Sequence, residues 1–281
     1  MKLNNKIVLI TGSSSGIGEA LCEEFHKKGC SVIATARNIA SLEKLKAKGI
    51  HTEQMNVNKQ DDITRVIKTI IEREGRIDIL INNAGFALIG PTIELTDSDL
   101  RTQFETNVIA PLALAREVAP VMRKNKTGMI VNIGSISGIV SSPFSGAYCA
   151  SKAALHSLSD TLRMELSPFG IKLVTVQPGA IKSGFGKTAS KLASDILKPD
   201  SWYISIQDKI ISRAEISQNN ATPTNKFASR LVKSLLKDNP SSVLRFGKKS
   251  FYLPRMKCLV PRSILDSIMN KKFGIASIND C

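Results

Sequence analysis

The chain reads as an α/β protein: a single-domain, doubly wound parallel sheet with helices on both faces. Three observations predict this. Short apolar, β-branched runs alternate with helix-length amphipathic stretches at βαβ spacing. The first run empties into a glycine-rich turn that opens a helix. The chain has 281 residues and 42% hydrophobic content, enough to bury one sizeable core.

Residues 6–11 form the first apolar run, as expected of a strand covered on both faces. Residues 17–28 read as a helix stopped by Gly29. A second strand, 31–35, precedes a helix over 41–48 that ends at Gly49. Strands follow at 51–57 and 78–81, with an amphipathic helix over 61–74 between them. One long helix is expected over 97–125, then a strand at 129–133, a helix at 147–166 and a strand at 171–176. From Gln177 the alternation stops. Residues 180–222 are rich in Ser, Lys, Asn and Gln and read as a long irregular substrate-loop region. A helix over 226–237 and a strand over 242–246 close the sheet. Residues 251–281 form a C-terminal extension, apolar and basic to 273, with prolines at 254 and 261.

Charged residues make up 22% of the chain, yet the formal net charge is +15. Such an excess suits an anionic cofactor or an anionic surface. Nucleic acid is set aside: no helix-turn-helix, zinc-finger or RNP-type pattern accompanies the charge, and aromatic content is 5%. The cysteines at 22, 30, 149, 258 and 281 are odd in number and contain no CxxC, which argues against a disulfide framework and a zinc site. Neither they nor the histidines at 26, 51 and 156 have metal-ligand spacing. The opening MKLNN runs into the first strand without the pattern of a secretory leader. No run nears the roughly 18 apolar residues of a membrane span. A cytoplasmic protein is expected.

The turn Thr11-Gly-Ser-Ser-Ser-Gly-Ile-Gly18 carries the first chemical signal. Gly12, Gly16 and Gly18 permit a tight turn and close approach of a pyrophosphate. The helix beginning near Ile17 offers unpaired N–H groups and the positive end of its dipole. The pattern is G-x-x-x-G-x-G, and Glu19 rules out a Walker A loop. Ser14, Ser15 and Ser13 add hydroxyl donors. The second strand ends Ala34-Thr35-Ala36-Arg37. A carboxylate there would hold the ribose hydroxyls of NAD. Arg37 instead can pair with a 2′-phosphate, so NADP(H) is the expected cofactor.

Tyr148 and Lys152 stand four residues apart on one helix and share a face. A tyrosine hydroxyl titrates near 10, and a neighbouring ammonium can lower that value. The strand at 129–133 runs into Gly134-Ser135-Ile136-Ser137-Gly138. Ser135 therefore belongs at the carboxyl ends of the strands, where ligands bind, as a donor to a substrate carbonyl. Ser137 competes for that role. Asn82-Asn83-Ala84-Gly85 ends another strand at the same face. Asn107 lies inside a helix that Asn does not favour. Facing inward, it would open the helix for a proton-relaying water.

These pieces together resemble the short-chain dehydrogenase/reductase family: TGSSSGIG at 11–18, NNAG at 82–85, Asn107, Ser135, YxxxK at 148–152 and Pro178-Gly179, over about the first 185 residues. The resemblance implies a Rossmann-like fold with Tyr148 as proton donor and acceptor. It implies Lys152 as ribose ligand and pKa depressor, Ser135 as substrate orienter and Asn107 as relay support. Pro178, Gly179 and Ile181 would face the nicotinamide, and Asn83, Ala84 and Gly85 the adenosine half. The third strand ends Asn56-Val57 where the family usually has Asp-Val beside adenine; the Asn oxygen can still accept from the adenine amino group. The strand end at ATAR and the C-terminal extension look most like hydroxysteroid and retinol dehydrogenases and their bacterial relatives. By the same analogy, the helix carrying Tyr148 is a surface for a homodimer or homotetramer.

Two functional readings of different class follow. One is an NADP(H)-dependent oxidoreductase acting on an apolar carbonyl or alcohol, such as a steroid, retinoid or lipid-like molecule. The other is an NADP(H)-binding redox sensor or interaction module without turnover. Phe144, Phe185, Trp202 and Tyr203 stand either in a substrate pocket or in the core. In the extension, Leu253, Met256, Val260, Ile264, Leu265, Ile268 and Met269 can form a helical stripe interrupted by Pro261. Residues 241–281 hold eight Lys/Arg and two Asp. That composition fits a pocket lid, with or without peripheral contact to an anionic membrane.

Overall fold

A computed structural model describes residues 5–278. Cys281 and the first four residues of the opening MKLNN lie outside them. Seven strands form one sheet: β1 (Ile7–Ile10), β2 (Ser31–Ala36), β3 (His51–Gln54), β4 (Ile79–Asn82), β5 (Gly128–Ile133), β6 (Ile171–Pro178) and β7 (Val243–Phe246). Their order is β3-β2-β1-β4-β5-β6-β7, and every neighbouring pair is parallel. The chain winds outward from β1 in one direction and from β4 in the other. Between β1 and β4 the helices switch faces, and a crevice opens above the strand ends.

Strand alternation divides the core. In β1, Val8 and Ile10 face one side, against α1 (Gly16–Lys27) and α9 (Thr224–Leu235), with Phe25 and Phe227 fully buried among them. Ile7 and Leu9 face the other, against α3 (Gln60–Glu74) and α5 (Ala110–Lys124), joined by Leu162 and Leu166 of α6 (Gly146–Leu166). Both faces are covered, which is why the strands read as unbroken apolar runs. A short helix, α2 (Glu43–Lys46), follows a 3₁₀ turn at Ile39–Leu42.

The structure departs from expectation in three places. The helix expected over 97–125 is α4 (Asp97–Phe104), started by a Thr96–Asp99 capping box, then a π-helical turn over Glu105–Ile109, then α5. β3 stops at Gln54, because Asn56 Oδ1 accepts the Asn58 N–H and turns the chain. Residues 180–222 are not irregular. They hold α7 (Phe185–Ile196) and α8 (Gln207–Glu215). The buried face of α7 is Gly186, Ala189 and Ala193, at helical spacing but built of residues too small to register as a hydrophobic stripe. Small residues let α8 approach closely: a Cβ on Gly186 would lie 2.7 Å from the Gln218 side chain and 3.4 Å from the Ala214 carbonyl.

These two helices are half of a cap over the carboxyl ends of the strands. The rest comes from the extension, which forms α10 (Tyr252–Leu259) and α11 (Arg262–Phe273), separated at Pro261. A third apolar cluster joins them: Ala87, Ile89, Phe144, Ala189, Ile210 and Phe273 are all buried there. Among the described residues, no helix is long and apolar enough to cross a membrane.

Candidate active site

A cleft of about 720 Å³ runs along the carboxyl ends of the strands and under the cap. It begins at Ala36, Arg37, Asn56 and Val57, passes Gly12 and Ser14–Ile17, then Asn83–Gly85, Ser135, Tyr148 and Lys152. It ends at Pro178–Ile181 and the cap. The predicted residues from both halves of the sequence thus line one cavity. Gly18 and Asn107 are behind its wall.

The phosphate loop is held from beneath. Thr11 Oγ1 accepts the N–H groups of Asn83 and Ala84, each at 3.0 Å. Asn83 Nδ2 donates back to the carbonyls of Thr11 at 2.9 Å and Gly12 at 3.0 Å. The side chain of Asn83 is thus a latch between the ends of β1 and β4. Gly12 and Gly16 have φ of +66° and +61°, a region other residues enter at a cost. A Cβ on Gly18 would fall 2.3 Å from the Gly12 carbonyl and 2.6 Å from Asn83 Nδ2. Ser13 is not a phosphate donor. It is buried, and its hydroxyl donates to the Ile10 carbonyl at 2.9 Å. Ser14 and Ser15 are exposed in the cleft, and the first N–H groups of α1 open onto it. This cradle fits a dinucleotide pyrophosphate, since only glycine leaves room where the backbone closes.

Arg37 is exposed at the end of β2. Its carbonyl accepts from Gln54, and no described carboxylate forms an ion pair with it. At the departure from Asp-Val, Asp62 Oδ2 accepts the Asn56 N–H at 2.8 Å, so a carboxylate stands nearby although Asn56 is neutral. Val57 is buried.

Ser135, Tyr148 and Lys152 gather near the end of β5. Lys152 Nζ donates to the Ile133 carbonyl at 2.8 Å and lies 6.0 Å from the Tyr148 ring centre. The Tyr148 side chain lines the cleft together with Ser135, whose hydroxyl acts on the phenol. Ser135 Oγ also accepts the Ser137 N–H at 3.0 Å; Ser137 thereby supports Ser135. Burial pushes the Tyr148 phenol up to about 12, against Ser135 and the charge of Arg213, which pull it down. The expected lowering by Lys152 does not prevail in the protein by itself. Burial brings the Lys152 ammonium down to about 8.

Asn107 is fully buried in the π-helical turn. Its Nδ2 donates to the Phe86 carbonyl at 3.1 Å and Ser151 Oγ at 3.0 Å, and its Oδ1 accepts the Phe86 N–H at 3.3 Å. The widened turn carries Asn107 inward, beside Gly85, whose absent Cβ would sit 3.0 Å from Oδ1 and 3.7 Å from Lys152 Nζ.

Two residues escaped sequence reasoning. His156 follows Lys152 by one helical turn. Its Nε2 accepts the Ser135 N–H at 3.4 Å, and burial lowers its pKa to about 4. The neutral ring packs against Gly134 and Gly138, where a Cβ would come within 2.2 Å and 2.6 Å of it. The four-residue spacing could have found it. Arg213 lines the cleft from α8, and no motif marks it. Of the aromatic candidates, Phe185 lines the cleft with its ring centre 5.8 Å from that of Tyr148. Phe144 is buried edge-on to Tyr203 at 5.5 Å in the cap core. Trp202 is 74% exposed and is not among the residues that line the cleft. Among the described residues, no group of His, Cys, Asp and Glu could hold a metal ion.

Comparison with known proteins agrees with this geometry. Residues 6–193 match the family model for short chain dehydrogenases. The short-chain dehydrogenase ptmH of Penicillium ochrochloron is 33% identical over 98% of this chain and 100% of its own. The 3-ketodihydrosphingosine reductase of Bacteroides thetaiotaomicron is 32% identical over 86% and 88%. Among solved structures, the closed form of serine dehydrogenase complexed with NADP+ superposes with a TM-score of 0.75 at 26% identity, covering 86% of this chain and 94% of that one. The chain belongs to the short-chain dehydrogenase family, a family of oxidoreductases.

The buried ammonium has a consequence for stability. Lys152 titrates near 8 in the folded protein, below its ordinary 10.5. Below pH 8 both states hold the proton, and the folded state bears the cost of burying it. Between 8 and 10.5 the folded protein has lost the proton while the unfolded chain keeps it, so stability rises with pH. Over the window this amounts to about 3 kcal/mol. Urea titrations from about pH 7.5 to about pH 9.5 should show the wild type gaining about 2 kcal/mol relative to Lys152→Met. Parallel curves would refute the assignment.

Proposed function

We propose that this protein is an NADP(H)-dependent oxidoreductase that interconverts a carbonyl and an alcohol, with Tyr148 as proton donor and acceptor. The meeting of the Tyr148 hydroxyl, Ser135 and Lys152 at the end of β5, beside a glycine cradle of dinucleotide size, carries this reading. A bound nicotinamide would supply or accept the hydride. In reduction, Ser135 holds the substrate oxygen and Tyr148 gives it the phenolic proton; in oxidation, Tyr148 takes the proton back. A phenol raised by burial stays protonated at neutral pH, which suits the donor role. Lys152 binds ribose hydroxyls and stabilises the phenolate left after transfer. Asn107 and the π-helical turn support a proton path to Lys152. His156, neutral and hydrogen-bonded to the Ser135 backbone, fixes Ser135. Gly179 and Ile181, past the end of β6, face the nicotinamide.

Tyr148→Phe should retain NADPH binding and lose roughly 10²-fold or more of turnover. Near wild-type rates would sink the mechanism, and a sensor without turnover would show no rate to lose.

NADP(H) preference is assigned to Arg37, exposed and unpaired with any described carboxylate, with Ala36 leaving room beside it. A charge-assisted contact of this kind contributes roughly 1.5–3 kcal/mol, or about 10- to 150-fold in affinity. Ala36→Asp with Arg37→Leu should invert the preference. Equal dissociation constants for NADPH and NADH in the wild type would remove it.

The C-terminal helices support a lid that also meets an anionic membrane. Leu253, Met269 and Phe273 line the cleft. Outward, Phe251, Tyr252, Leu259, Ile264 and Ile268 are half or more exposed, beside the exposed Arg255, Lys257, Arg262 and Lys271. Apolar side chains among cations suit an interfacial contact, each cation contributing on the order of 1 kcal/mol near anionic lipid. At low salt the protein should sediment with vesicles containing phosphatidylserine more than with phosphatidylcholine vesicles. Equal sedimentation would leave the lid alone.

A further inference from the structure

Three cations meet at the substrate end of the cleft: Arg213 from α8, Lys249 from the turn after β7 and Lys272 from α11. They act on one another. Burial, and then the charges of Lys249 and Arg213, pull Lys272 below its ordinary range. Among the described residues, no Asp or Glu forms an ion pair with any of the three.

Arg213 is the deepest. Its Nη2 donates to Ser142 Oγ at 2.6 Å and to Ser145 Oγ at 3.2 Å. Its Nε is sealed from solvent and has no hydrogen-bond partner. Its guanidinium lies 5.5 Å from the Phe273 ring centre, and the Lys272 ammonium lies 5.4 Å from the same ring. The ring face offsets part of the charge, and the serines are neutral. What a guanidinium in such a place lacks is an anion. Arg213 and Tyr148 line the same cleft, and the negative-capable groups whose charges act on the guanidinium are Cys149 and Tyr148. Arg37, the cation assigned to the cofactor phosphate, follows the last residue of β2, near the opposite edge of the sheet.

We propose that Arg213, with Lys249 and Lys272 at the rim, binds an oxyanion, either a carboxylate or a phosphate ester, carried by the substrate. The substrate is then an acid-bearing ketone or alcohol with an apolar body, held by Phe185, Leu253 and Met269, rather than a neutral lipid. Substrates carrying an ammonium are repelled. The inference rests on Tyr148 and Lys152 being the reacting site, and deepens that reading.

The test separates the two. Tyr148→Phe protein loaded with NADP+ keeps the cleft and removes turnover from the measurement. Octanoate, octyl phosphate, methyl octanoate and octyltrimethylammonium are titrated against it by calorimetry at low salt. At least one of the two anions should bind 10-fold or more tighter than the ester, with the ammonium weakest. Whichever anion binds tighter names the oxyanion. Adding Arg213→Gln should reduce the preference over the ester to within about 2-fold while the NADPH dissociation constant holds, and Arg213→Lys should keep part of it. If Arg213→Gln does not fold, Lys249→Gln with Lys272→Gln should cost the anion about 3-fold and leave the ester unchanged. Equal binding of anions and ester in the parent protein overturns the proposal. So does a preference that survives these substitutions, or a matching loss of NADPH affinity, which would make Arg213 a cofactor contact. Catalysis by Tyr148 stands or falls separately, on the turnover of Tyr148→Phe.

Discussion

The hydrogen bonds that stitch the end of β1 to the end of β4 set the terms for the rest of the site. Thr11 receives two N–H groups from the β4 end, and Asn83 returns two hydrogen bonds to the carbonyls of Thr11 and Gly12. This is the place where the winding of the sheet reverses and the crevice opens. Because Asn83 occupies the underside of the turn, Gly18 has no room for a side chain, and the first N–H groups of α1 are left facing the cleft. Binding capacity here is a by-product of packing: the loop is shaped by what supports it.

A second support repeats the logic at the reacting end. Lys152 is tied to the last carbonyl of β5, and His156, one turn on, holds the Ser135 backbone. Asn107 clamps the segment after β4 to Ser151 on the same helix. One face of α6 therefore carries the phenol of Tyr148, the cation at Lys152 and the neutral ring that accepts from the Ser135 N–H. Burial gives these groups opposite shifts, raising the phenol and lowering the ammonium and imidazole, because it disfavours charge on each. At neutral pH the result is a protonated phenol beside an ammonium whose proton is only loosely held.

The cap has a different character. Its helices α7, α8, α10 and α11 enclose an apolar end of the cleft, where Arg213, Lys249 and Lys272 form no ion pair with a described Asp or Glu. Part of the +15 excess is thus concentrated at this end of the cleft, and such a field draws anions. The other part faces outward on α10 and α11, among exposed apolar side chains.

The sequence by itself determined the parallel sheet, the glycine turn, the Tyr148–Lys152 pair, Ser135 and the strand end at Arg37. Each is a local signal: a buried strand is apolar throughout, a close approach needs glycine, and residues four apart share a helical face. The tertiary structure alone decided four further matters. The helix through Asn107 contains a π-helical turn, because the hydrogen bonds that draw Asn107 inward come from Phe86 and Ser151, remote in the chain. Residues 180–222 fold as helices, because their buried face is glycine and alanine, whose contribution appears only when another helix packs against it. Ser13 turned from a ligand into a support, and Arg213 from an ordinary arginine into a half-buried cation with a sealed Nε and no ion pair to a described carboxylate. Burial and the lack of a partner are properties of surroundings, and residues far apart in sequence supply those surroundings.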